Sequence, residues 1–181
     1  MEIKKHWLVP ARHLQSPNHG ERPVNEEISL LVIHNISLPP GEFGGPYIDA
    51  LFCNTLDCDA HPYFDALREL RVSSHLLIDR TGQVTQYVPF NLKAHHAGAS
   101  SFDGRDQCND FSIGIELEGC DDTPFTSAQY ERLIAVTRLL MATYPGITGD
   151  RITGHSDIAP ARKTDPGPCF DWDRYRRELV G

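Results

Sequence analysis

His155 follows Thr153-Gly154, and Lys163-Thr164-Asp165-Pro166-Gly167-Pro168 comes shortly after it, so an imidazole, an ammonium and a carboxylate share one short irregular segment. That trio suits a metal site that carries out hydrolysis. Pro160, Pro166, Gly167 and Pro168 rule against a continuous helix from 155 to 168, so His155 and Asp165 must converge through a rigid loop. A third ligand has to come from elsewhere. His34 is the best candidate, because it ends the apolar run Leu30-Leu31-Val32-Ile33, where a buried strand delivers a side chain to a sheet edge. Two imidazoles and one carboxylate, with a fourth position left to water, form a catalytic zinc arrangement rather than a structural one. The bland alternatives are ordinary: most histidines are surface or supporting residues, and Asp before Pro often only shapes a turn.

These residues need elements to hold them. Phe111 to Gly119 alternates strictly, which predicts a strand with Phe111, Ile113, Ile115 and Leu117 facing the core. Ser112, Gly114, Glu116 and Glu118 then share the other face, which could line a cleft. Glu116 is the best candidate for a general base, yet Glu118 points the same way, and a solvated strand face would explain both. Pro46 suits the first turn of a helix through about Phe52 that buries Ile48, Leu51 and Phe52. Ser73 to Ile78 and Gln83 to Val88 flank the turn-rich Asp79-Arg80-Thr81-Gly82 and read as a β-hairpin, with His75 inside its first strand. Thr126 with Gln129 resembles a capping box ahead of a helix carrying Tyr130, Leu133, Ile134, Thr137, Leu140, Met141 and Tyr144. Asp171 caps a short terminal helix with Trp172, Tyr175 and Leu179. Residues 10–29 are a polar, ordered arm that leads into the first core strand near 30–34. Strands interleaved with helices predict an α/β fold, a central mixed sheet flanked by helices, in one domain spanning 1–181.

Composition narrows the partners. Among 181 residues, 40% are apolar, with no run long enough for a membrane span, and no apolar leader follows the basic start Met1-Glu2-Ile3-Lys4-Lys5. A cytoplasmic protein is the expectation, a monomer with no membrane partner. The net charge of −8 disfavours nucleic acid and a polyanionic wall polymer while leaving room for a locally basic pocket. Cys53, Cys58, Cys108, Cys120 and Cys169 have neither metal-site spacing nor the density of a disulfide scaffold, and read as reduced packing thiols.

Four segments in register, His34-Asn35-Ile36-Ser37-Leu38-Pro39-Pro40 running to Pro46, Arg71-Val72-Ser73-Ser74-His75, Cys108-Asn109-Asp110-Phe111 running to Gly119, and the 153–168 loop, resemble the zinc-dependent N-acetylmuramoyl-L-alanine amidases. That fold is shared with phage amidase lysozymes and peptidoglycan recognition proteins. The resemblance implies one zinc ion on His34, His155 and Asp165, selects Glu116 over Glu118 as the base, and gives Lys163 the oxyanion of the tetrahedral intermediate. It implies hydrolysis of the amide between the lactyl group of muramic acid and L-alanine. The likeness is to the cytoplasmic branch that recycles 1,6-anhydro-muropeptides and thereby removes inducers of β-lactamase.

Asn35 and Arg71 are candidates to hold the sugar and the acidic stem peptide, since guanidinium pairs with carboxylate bidentately. His95 stands where the family usually carries tryptophan, which changes the surface on which a sugar would stack. The pair His95-His96 invites a second metal, but adjacent residues on a strand face opposite ways. His75 is a mid-strand histidine that at most supports the site. Two rival functions stand beside this one. An amidase of intact peptidoglycan would want an export signal or wall-binding module, and a non-catalytic muropeptide-binding domain is marked by a lost zinc ligand.

Overall fold

Leu30-Leu31-Val32-Ile33 and the Ser112–Glu118 stretch form the two longest strands, and they pair in parallel at the heart of the sheet. The structure, a computed structural model, describes residues 1–181. In chain order the strands are β1 (Glu2–Lys4), β2 (Trp7–Val9), β3 (Arg12–His13), β4 (His19–Glu21), β5 (Leu30–Ile36), β6 (Leu76–Ile78), β7 (Val84–Gln86), β8 (Leu92–Ala94), β9 (Ser101–Phe102), β10 (Arg105–Asp106), β11 (Ser112–Glu118) and β12 (Ile152–Gly154). The helices are α1 (Tyr47–Phe52), α2 (Ser127–Thr143), the single turn α3 (His155–Ile158) and α4 (Trp172–Val180).

The main sheet runs β12-β5-β11-β6-β7-β3. It is mixed: every pair is parallel except the hairpin β6–β7. The pleat sorts its side chains by period two. Leu31, Ile33, Ile113, Ile115 and Leu117 face the main core with Leu133, Val136 and Leu140 of α2 and Tyr175 of α4. The opposite face carries Leu30 and Val32, which pack with Ala97, Cys108, Phe111 and Ile158. His34 and Glu116 belong to that second face, at paired positions of β5 and β11.

Thr126 accepts a hydrogen bond from the Gln129 N–H while Gln129 reaches back to the Thr126 N–H, so the capping box expected at the start of α2 is present. Asp171 caps α4 by accepting from the Arg174 N–H. Three expectations need correction. Phe111 precedes β11 and packs on the face opposite Ile113, with Leu30 and Val32. His75 precedes β6 and does not lie within it. All seven residues of β11 are buried, so its polar face is not an open cleft wall. Parallel neighbours on both sides and a covering segment at 95–97 seal it, and Glu116 alone of its polar side chains lines the cleft that His34 also lines. The first nine residues form an antiparallel hairpin, β1–β2, that places Leu8 fully inside the main core. The polar arm supplies β3 at the far edge of the sheet and β4, which pairs with β8. No helix is long and apolar enough to cross a membrane.

Candidate metal centre

Three neighbouring chain segments deliver the donors. β5 ends its apolar run in His34, and β12 pairs with β5 so that Gly154 lies opposite Ile33, which makes His155 the first residue beyond the sheet. One turn of helix and a Pro-containing loop then return Asp165 beside both imidazoles, its carbonyl accepting from the Ser156 N–H at 2.9 Å. His34 Nδ1 lies 3.0 Å from His155 Nδ1 and 2.9 Å from Asp165 Oδ2, and His155 Nδ1 lies 3.0 Å from the same oxygen. The structure therefore brings together the three residues that the sequence singled out.

The chemistry of this donor set fits a small divalent cation. His155 Nε2 faces the carbonyl of Ala97 at 3.1 Å, an acceptor only, so the ring proton sits on Nε2 and Nδ1 presents a lone pair. Donors at about 2.0–2.1 Å around a tetrahedral zinc would stand roughly 3.3 Å apart, close to the triangle seen here. Burial lowers the pKa of His34 to about 4, with the Asp165 carboxylate working against that shift, so the ring is neutral and able to ligate at neutral pH. Burial pushes Asp165 up, but its close contacts with His155 and His34 prevail and hold its carboxyl below the usual range.

Glu116 lines the same cleft as these three residues and is unspent. Its Oε2 is buried and has no hydrogen-bond partner. Burial, and then repulsion from Asp165, raises its pKa well above the ordinary carboxylate value, opposed by Lys163. Glu118 is not equivalent: its oxygens accept from the Gly44 N–H at 2.5 Å and the Arg80 N–H at 3.1 Å, which ties the 36–46 loop to the hairpin turn. The ambiguity between two carboxylates on one strand face is thus a difference in hydrogen bonding that no periodicity encodes.

A cleft of about 590 Å³ opens over these groups, lined by His34, Glu116, His155, Lys163 and Asp165 together with Asn35 and His95. Leu38, Leu51, Phe52, Leu67, Leu70 and Val72 give it an apolar wall. Asn35 reaches the cleft, but both amide hydrogens are engaged, one to Asp121 Oδ1 at 2.8 Å and one to the Pro166 carbonyl at 3.0 Å. It pins the loop that carries Asp165. Gly167 is needed in that loop because its φ is +80° and a Cβ would stand 2.5 Å from Asp121 Cα. Arg71 is placed differently from the expectation. Its guanidinium donates to the carbonyls of Arg68 and Leu70 on the exposed side, and Leu70 and Val72 line the cleft in its stead. A second cleft of about 590 Å³, around Glu21, Arg22, Glu26 and Tyr144, has no comparable convergence of donors.

Sequence reasoning weighed His96 only in a second-metal pair and passed over the Ala97 carbonyl and Asp121, all of which hold the donor residues in place. The one visible signal was Gly114, a glycine inside a strand, which marks close approach of another group. His75 contributes to the same packing: its Nδ1 accepts from the Gly114 N–H at 3.1 Å, so Nε2–H donates to the Leu92 carbonyl.

The family model for N-acetylmuramoyl-L-alanine amidase matches residues 24–168. The chain is 62% identical over 180 residues to the 1,6-anhydro-N-acetylmuramyl-L-alanine amidase AmpD of Enterobacter cloacae, covering 99% of this chain and 96% of that protein. A crystal structure of a selenomethionine derivative of AmpD superposes with a TM-score of 0.96 at 58% identity, covering 99% of each chain. The Escherichia coli amidase AmiD, in complex with anhydro-N-acetylmuramic acid-L-Ala-D-γ-Glu-L-Lys, matches with a TM-score of 0.62 at 31% identity over 89% of this chain and 62% of that one.

Proposed function

The chain belongs to the N-acetylmuramoyl-L-alanine amidase family, and on that premise we propose that it is a zinc hydrolase that cleaves the lactyl–L-alanine amide of 1,6-anhydro-muropeptides. The observation that carries this reading is the convergence of His34, His155 and Asp165 on one point beside a buried, unpartnered Glu116 oxygen. Near-full-length identity to proteins named for the anhydro-muropeptide reaction supports the substrate, as does a structural relative in complex with such a molecule.

In this reading His34, His155 and Asp165 would hold zinc, which would supply Lewis-acid polarisation of the amide carbonyl and a water of pKa about 7. Glu116 takes the proton of the attacking water and returns it to the departing nitrogen of L-alanine. Lys163, in the same cleft, sets its ammonium against the oxyanion of the tetrahedral intermediate. The apolar wall excludes bulk water and strengthens both interactions. His95 faces the sugar, and Asn35 offers its side-chain carbonyl after anchoring the Asp165 loop. Residues 1–181 act as one amidase domain, a cytoplasmic monomer that recycles wall fragments and so lowers the level of β-lactamase inducers.

The test is mass spectrometry of anhydro-N-acetylmuramyl-tripeptide incubated with the zinc-loaded protein, the chelated protein and the chelated protein with zinc restored. Free tripeptide and anhydro-N-acetylmuramic acid are expected in the two zinc-containing samples alone. Intact substrate in every sample would instead make this a muropeptide-binding domain or an amidase of polymeric peptidoglycan.

A further inference from the structure

His96 is buried, and the chain makes unusual room for it. A Cβ on Gly114 would stand 2.5 Å from His96 Cγ and 2.6 Å from its Nδ1, so the ring lies flat against a strand position that only glycine can occupy. From that slot His96 Nδ1 meets His34 Nε2 at 2.9 Å, and His96 Nε2 meets Ser112 Oγ at 3.1 Å. The next residue does the same for the second imidazole, since the Ala97 carbonyl accepts from His155 Nε2 at 3.1 Å. Asn109 Oδ1 accepts from the backbone N–H groups of both His96 and Ala97, at 3.1 and 2.8 Å, which fixes the pair as a unit.

We propose that His96, seated on Gly114, is a positioning residue that fixes the tautomer and orientation of His34, so that two adjacent residues, His96 and Ala97, aim both imidazoles at the cation. The inference rests on the zinc reading of the site. Its logic is one of direction. For His34 to offer Nδ1 to a cation its proton must be on Nε2, and that proton needs an acceptor inside the protein. His96 Nδ1 is that acceptor, provided that the His96 proton is on Nε2, and Ser112 Oγ is there to receive it. Each donor points away from the centre. An isolated imidazole would divide its proton between its two nitrogens and lose part of its affinity.

The test is the zinc dissociation constant of the full chain, measured by competition with a chromophoric chelator, alongside the thermal midpoint of each metal-free form. His96→Leu, which fills the space and removes the acceptor, should weaken zinc binding by about 10- to 100-fold. His96→Asn, whose side-chain oxygen stands near the position of Nδ1, should restore the affinity to within about threefold, whatever the two variants do to the thermal midpoint. Gly114→Ala should behave as His96→Leu does, because its methyl evicts the ring. If the unsubstituted protein binds zinc tightly and His96→Leu binds it equally well, the positioning role is wrong while the zinc site stands. Equal losses in the Leu and Asn variants would reduce His96 to packing and overturn the proposal. A parent protein that does not bind zinc defeats the site and the proposal together.

Discussion

Glu116 and Glu118 stand two positions apart on one face of β11, and only their partners separate them. Both Glu118 oxygens accept backbone N–H bonds, whereas Glu116 keeps an oxygen that nothing in the protein satisfies. Leaving a buried acceptor unmade costs stability, and such a cost persists where the group serves a reaction. Glu116→Gln should therefore lower kcat by about 10²- to 10⁴-fold with zinc still bound. Glu118→Gln should show the opposite pattern, a kcat within a few-fold of the parent and a loss of roughly 2 kcal/mol in urea unfolding, since it weakens two charge-assisted bonds. Turnover and unfolding measured on the same two preparations decide the matter. At this scale the sequence reveals residue types and their shared face, and it marks His34, His155 and Asp165. It does not reveal which carboxylate is free, because the Gly44 and Arg80 N–H groups arrive from segments 74 and 38 residues away.

Among the elements, α2 is the most completely written in the sequence, by a capping box followed by helical spacing of apolar residues. The structure adds a second task for its cap. Gln129 is fully buried, and its amide nitrogen donates to the carbonyls of Ile78 and Glu118, joining the helix start to the ends of β6 and β11. Thr126→Ala should cost about 1 kcal/mol, as an ordinary N-cap does. Gln129→Ala should cost roughly 2–4 kcal/mol, because it also strands two buried carbonyls. Urea denaturation of the two variants is the check, and equal losses would mean that the strand contacts add nothing. The hairpin β6–β7 was legible from its turn-rich connector, but other short strands were not, for a plain reason. Three residues carry no measurable period, and β1, β2 and β4 exist only through the partners they find. The burial of β11 was hidden likewise, since its polar face is covered by chain from 95–97 and not by anything local.

The molecule as a whole keeps several imidazoles neutral in its interior. Burial, and then repulsion from Arg22, lowers the pKa of His75 to about 3, and burial also lowers His34 to about 4 and holds His96 well below its ordinary value. In the unfolded chain each would bind a proton near pH 6.5. Below that pH the unfolded state holds more protons than the folded one, so stability falls with acid until the folded value is reached, and it is flat above it. Each such histidine contributes a slope of up to about 1.4 kcal/mol per pH unit. Urea midpoints of the metal-free protein should therefore drop between pH 6.5 and 5, and His75→Gln should remove one proton from that slope. An unchanged midpoint over this interval would contradict neutral burial. The pairing of β12 with β5 has a consequence in time. His34 precedes its partner His155 by 121 positions, and the two meet only when that edge strand docks, which makes the contact among the last that a growing chain can complete. A ribosome-bound chain that has made β5, and even β11, still offers metal a single imidazole at this place. On the zinc reading, capture of the ion is deferred until the sheet is closed, and partly made copies compete poorly for a scarce metal.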